Sequence, residues 1–151
     1  MARNRQLFLK SATTAQYVGQ IVDLQLARVG LPAYLLALLT HVRDHGPVAP
    51  TEISRISGAP LTTLRDNIQR LVDRRLVRRM PNPRDGRSYL LSLTARGETV
   101  TRVADPALLE AYLALERRLP RPLEEYERLL DELNEALERT LGDQLAEDAA
   151  A

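Results

Sequence analysis

TEISRISGAPLTTLRDNIQRLVDRRLVRRMPNPRDGRSYLLSLT, residues 51–94, carries two short helical patterns, a tight turn and a basic hairpin. In its first part Ile53 and Ile56 stand three apart on one helix face. Gly58 follows, at the point where a backbone without a side chain turns left-handed at no steric cost. After Ala59-Pro60, residues Leu61, Leu64, Ile68, Leu71 and Val72 recur at helical spacing and give a second helix one apolar stripe. At about 100° per residue, Thr62, Asp66, Gln69 and Arg70 lie farthest from that stripe, and Thr63 and Arg65 flank it. Such a face projects hydrogen-bonding groups outward, as a helix that reads base edges and grips phosphates must. Beyond it, Leu76 to Met80 can extend, Pro81, Pro83 and Gly86 enforce a turn, and Tyr89, Leu91 and Leu93 alternate with Ser88, Leu90 and Ser92. This is a hairpin with Arg84 and Arg87 near its tip, and Asp85 between them is expected to hydrogen-bond an arginine and fix it.

These residues together resemble the multiple antibiotic resistance regulator (MarR) family of winged-helix transcription factors. The family's D-x-R, L-x-L-T and following helix glycine are matched at Asp85, Arg87, Leu91, Leu93, Thr94 and Gly97. Its T-x-x-V-x-x-L pattern is met loosely, by Thr63 and the aliphatic Leu64, Ile68 and Leu71, and its L-V-x-R by Leu76, Val77 and Arg79. Arg75 stands where the family has glycine, and must take the backbone that glycine would at some conformational cost. Pro60 stands where the family has a polar helix cap. The resemblance implies a mainly α fold with a small β-wing: a winged helix-turn-helix over residues 31–100, flanked by N- and C-terminal dimerisation helices in residues 5–30 and 101–142. It also implies that Val48 adds a short strand to the wing. The DNA-facing residues would be Thr62, Thr63, Arg65, Asp66, Gln69, Arg70, Arg84, Asp85 and Arg87, and Tyr17, Tyr34, His41 and Tyr112 would line a crevice for a small aromatic effector.

Charge is divided along the chain in a way that suits this reading. Residues 51–102 hold eleven basic and five acidic side chains, whereas residues 103–151 hold five and thirteen, although the whole chain has a net charge of +1. A module that meets a polyanion thus stands beside one that avoids it. With one Phe and no Trp, the core must be built from Leu, Val, Ile and Ala, which favours helices. Residues 6–26 form the first helical pattern, Pro32 opens a second that stops at Gly46, and Thr94 caps a third. Asp105-Pro106 is expected to kink or restart that helix, and a leucine stripe from Leu123 to Leu141 ends at Gly142, leaving residues 143–151 as a frayed tail. The first and last helices present apolar stripes that neither can bury alone, so a homodimer is expected.

Other chemistry finds little support. Zero cysteines exclude disulfides and thiol ligands, and His41 and His45, four apart as a metal pair would be, have no third imidazole or thiolate to complete a site. Neither a nucleophile elbow nor a phosphate loop is present, so no enzyme, cofactor or metal is expected. Without a long apolar run or a signal-type start, the chain is expected to be cytoplasmic, with no membrane contact. The expected function is a dimeric, sequence-specific DNA-binding transcriptional regulator, a repressor released by an effector, acting on a palindromic double-stranded operator. The alternatives are a winged-helix protein-interaction module and a helical scaffold without DNA binding.

Overall fold

The central helix is the one whose sequence is apolar nearly all round. In α2 (Ala33–His45), residues Leu35, Leu36, Leu38, Leu39 and Val42 are all buried, as a helix lacking a polar face requires. The structure, a computed structural model, describes residues 6–150. Ahead of α2 come α1 (Gln6–Gln25) and a short 3-10 turn (Leu26–Arg28). The first free N–H of α2, at Ala33, donates to the Asp23 carboxylate of α1 at 2.6 Å, a cap supplied from ten residues away.

Next come α3 (Pro50–Ser57), α4 (Leu61–Asp73), β1 (Val77–Pro81), β2 (Tyr89–Leu93), α5 (Ala95–Glu116) and α6 (Leu123–Ala150). The strands pair antiparallel with Val77 opposite Leu93 and Pro81 opposite Tyr89. Val48 joins Leu91 through two backbone hydrogen bonds of 2.8 and 3.1 Å, the short strand that the resemblance implied. Leu26, Leu35, Leu39, Ile53, Ile68, Leu71 and Leu91 are the largest side chains sealed in the core, which contains no buried aromatic ring. Two compact units divide the chain, one ending at Ala111 and one beginning at Tyr112, and that core lies wholly in the first.

Three residues, Arg75, Thr94 and Gly97, sit where the wing meets the helices. Arg75 sits in the left-handed region at φ 57, where the side chain opposes the fold. Arg75→Gly should therefore raise the unfolding free energy by up to about 1 kcal/mol, the relief of the left-handed strain exceeding glycine's greater unfolded entropy. A urea midpoint unchanged or lowered would mean that the arginine side chain holds something the strain figure omits. Thr94 caps α5 as its sequence suggested: its Oγ1 accepts from Gly97 N at 3.1 Å and donates to the Arg75 carbonyl at 2.7 Å. A Cβ on buried Gly97 would collide with the carbonyl oxygen of Leu76 and touch Leu93. Because backbone meets backbone there, Gly97→Ala should cost about 2–3 kcal/mol, measurable as a lower denaturation midpoint.

Two expectations about the later helices change. Of the two alternatives at Asp105-Pro106 the restart does not occur: α5 continues through Pro106, and Asp105 pairs with Arg43 of α2 at 2.8 and 3.1 Å instead of capping. α6 likewise passes Gly142 and stays helical to Ala150, so residues 143–150 are not a frayed tail. A mid-helix glycine costs only about 1 kcal/mol, and the alanines, leucine, glutamine and glutamate after it favour helix.

Candidate nucleic-acid interface

α3 and α4 form the helix-turn-helix. Gly58 closes α3 at φ 67, the left-handed residue expected there, and Ser54 Oγ donates to the Ala59 carbonyl at 2.7 Å across the turn. Pro60 stands just before α4 and supplies no side-chain cap, so the first amides of α4 are left open. Leu64, Ile68 and Leu71 are buried, and Thr62, Thr63, Arg65, Asp66, Gln69 and Arg70 are all exposed. The stripe and the polar face fall where the periodicity placed them.

The exposed residues are not equally free. Gln69 accepts from Arg79 Nη2 of β1 through Oε1 at 2.9 Å and donates from Nε2 to Asp73 at 2.7 Å. Arg79 also lies 5.0 Å from the centre of the Tyr89 ring of β2, a cation–π contact. Arg70 donates from Nη1 to the Tyr34 hydroxyl of α2 at 2.7 Å, and among the described residues it makes no bond to Asp66 one turn back. Arg74 donates to the Gly30 carbonyl at 3.1 Å. Sequence reasoning did not single out Arg79 and Asp73 as partners of this helix. Period-two alternation, which puts Arg79 on the face of buried Val77, was the available signal.

The wing tip is built by side chains that cap backbone. Asn82 Oδ1 accepts from Arg84 N and Asp85 Oδ1 from Arg87 N, both at 3.0 Å, while Asn82 Nδ2 donates to Ser88 Oγ at 2.7 Å. Asp85 thus fixes the hairpin by way of the Arg87 amide, not a guanidinium as expected. Its short side chain reaches two residues on in an Asx turn before it can reach an arginine head. The heads of Arg65, Arg84 and Arg87 are exposed, with no hydrogen-bond or ion-pair partner among the described residues.

Of the four residues expected to hold an effector, Tyr17, Tyr34 and His41 belong to the first unit, and the groove that Tyr17 lines includes neither of the other two. Tyr17 is 62% exposed on α1 and lines an open groove of about 450 Å³ with Leu9, Ala12, Thr13, Gln16 and Gln20. Tyr34 is bound to Arg70, and Tyr112 lies in the second unit. His41 stacks on His45 with ring centres 6.2 Å apart. Burial holds the His41 imidazole below its ordinary value of 6.5, His45 lowers it further and Asp44 opposes the shift. The folded chain therefore keeps His41 neutral where the unfolded chain takes up a proton. Its contribution to stability is whole above pH 6.5 and is lost as pH falls from there through the lowered value. His41→Gln should flatten the fall in unfolding free energy as pH drops below 6.5; an unaltered slope would assign that fall to carboxylates. Among the described residues no cluster of three or more His, Cys, Asp or Glu is placed to hold a metal, and no helix is long and apolar enough to cross a membrane.

A family model described as the MarR family matches residues 30–88, the span from the start of α2 to the wing. The HTH-type transcriptional repressor NicR of Pseudomonas putida is 30% identical over 106 residues, 70% of this chain. Over residues 30–88 the chain is a MarR-family module. Its alignment spans 59% of NicR's length. Among solved MarR-like structures, the Mycobacterium tuberculosis regulator MOSR in complex with DNA superposes with a TM-score of 0.78 at 23% identity, covering 87% of this chain and 96% of that one. BpsR of Bordetella bronchiseptica, whose DNA binding is regulated by 6-hydroxynicotinic acid, superposes at 0.75 with 22% identity, covering 85% and 92%. At such identities these likenesses concern the fold, a winged helix-turn-helix with flanking helices.

Proposed function

We propose that this chain is a dimeric, sequence-specific DNA-binding transcriptional regulator, a repressor released by a small aromatic effector. One observation carries the reading: the exposed polar start of α4, with Thr62, Thr63, Arg65 and Asp66, shares a chain with a rigidly capped hairpin whose Arg84 and Arg87 heads have no partner among the described residues. Guanidinium groups left uncommitted on an ordered turn are what phosphates and a narrow minor groove attract. The open amides at the start of α4 add positive potential in the same region. The named relatives support the same reading, one a repressor, one solved with DNA and one answering to an aromatic acid. The helices that would pair two copies, in residues 5–30 and 101–142, carry the exposed leucines a dimer would cover.

A gel-shift titration with DNA from upstream of the chain's own gene, repeated across salt, tests this. Six phosphate contacts would weaken binding roughly a thousandfold between about 50 and 200 mM salt. Binding that ignored salt, or no preference over unrelated duplex, would favour the protein-interaction or scaffold alternatives. Adding aromatic acids to the preformed complex tests release.

A further inference from the structure

We propose that base reading by this chain is confined to the first two turns of α4, at Thr62, Arg65 and Asp66, and that Gln69 is a positioning residue joining α4 to the wing through Arg79. The inference rests on the DNA-binding reading and assigns roles within it. A glutamine that reads adenine uses its carbonyl and its amide together. Both are engaged within the chain, Oε1 by the Arg79 guanidinium at 2.9 Å and Nε2 by Asp73 at 2.7 Å. Each bond has one charged partner, and such bonds are about twice as strong as neutral ones. To read a base, Gln69 would give up both and leave Arg79 with only the Tyr89 ring.

The same half of the helix is tied down on its other side. Arg70 binds the Tyr34 hydroxyl and Arg74, just past the helix, the Gly30 carbonyl, so three contacts mount the end of α4 on β1, on α2 and on the turn before it. Thr62, Arg65 and Asp66, by contrast, have no side-chain hydrogen bond among the described residues. Thr62 lies seven positions before Gln69, about 10 Å along the axis, so the free and the mounted parts are separate stretches of one rigid rod.

Selection from a random duplex pool tests the division, using the full-length chain and its Arg65→Ala, Gln69→Ala, Arg79→Ala and Gln69/Arg79 double variants. The parent should enrich one site. Gln69→Ala should enrich the same bases at every position while binding the parent's site about fivefold more weakly, the effect of losing the one bond that reaches the wing. Arg65→Ala should lose discrimination at one base pair of each half-site, on the order of tenfold. If Gln69 acts through Arg79, the double variant should bind within about twofold of the weaker single one. A base preference does not depend on the fraction of protein folded, so a poorly folded variant still reports. A changed base at any position with Gln69→Ala, or losses that add in the double variant, would overturn the inference. A parent that enriches no sequence would instead bring down the DNA-binding reading beneath it.

Discussion

Removing both wing arginines, Arg84→Ala with Arg87→Ala, should weaken operator binding about a hundredfold or more at moderate salt while leaving the fold intact. The turn does not use either head. Arg84 and Arg87 enter it through their backbone amides, held by Asn82 and Asp85, which the double variant retains. The hairpin should therefore keep its shape and its thermal transition. What disappears is two exposed positive charges per subunit, four in a dimer. Arg87→Ala alone should cost about 1–3 kcal/mol of binding. The salt dependence should also become shallower, because each lost phosphate contact removes about one unit of slope. A double variant that bound as tightly as the parent, with the same slope, would place the wing away from DNA.

The control lies next door. Asp85→Ala removes a cap and not a contact, so it should loosen the tip and weaken binding less than loss of the arginine heads. Its unfolding midpoint should fall slightly, since a single exposed turn cap is worth about 1 kcal/mol or less. Binding lost with Asp85→Ala as fully as with the arginine pair would mean that the shape of the tip matters more than its charge.

Which parts of this arrangement were legible in the sequence follows from the range of the forces involved. Periodicity located α3, α4 and both strands because burying Ile53, Leu64, Ile68, Leu71 and Leu91 is a local pattern imposed by one core. Left-handed positions were legible too: Gly58 and Arg75 stand where a backbone must reverse, and both have positive φ. Thr94 announced its cap. Contacts between exposed side chains distant in sequence were not legible. Nothing in a residue pattern pairs Arg70 with Tyr34, 36 positions away, or brings Asp23 to Ala33 and Arg43 to Asp105. The face of Gln69 was legible and its hydrogen bond to Arg79 was not, because that contact depends on how the wing folds back against α4. Pro106 and Gly142 misled for a different reason: each weakens a helix locally, and strong helix formers around them outweigh a single break.

Truncation after Leu119 should abolish the dimer and lower affinity for a two-half-site operator on the order of 10²–10⁴-fold, although every DNA-facing residue remains. α1 buries none of its residues within the chain, and Leu7, Phe8, Leu9, Tyr17, Val18, Ile21 and Leu24 are all exposed along it. α6 buries Leu123 alone, and its Leu129, Leu130, Leu137, Leu141 and Leu145 are exposed. Two helices with uncovered apolar surface of this extent do not remain solvated in a stable protein. In the proposed dimer a second copy, related by a two-fold axis, would cover such surface and present a second α4 to the operator. Half-sites one helical turn apart, ~34–36 Å, must be engaged together, and only a dimer fixes that distance. A lone winged helix keeps its own contacts and nothing more. Sedimentation and DNA titration on the truncated chain read the two effects separately, and exposure of the α1 leucines should also make it prone to aggregate. A soluble truncated chain that still sediments as a dimer and still protects a palindrome would assign the pairing to α1 alone and leave the α6 stripe to another partner.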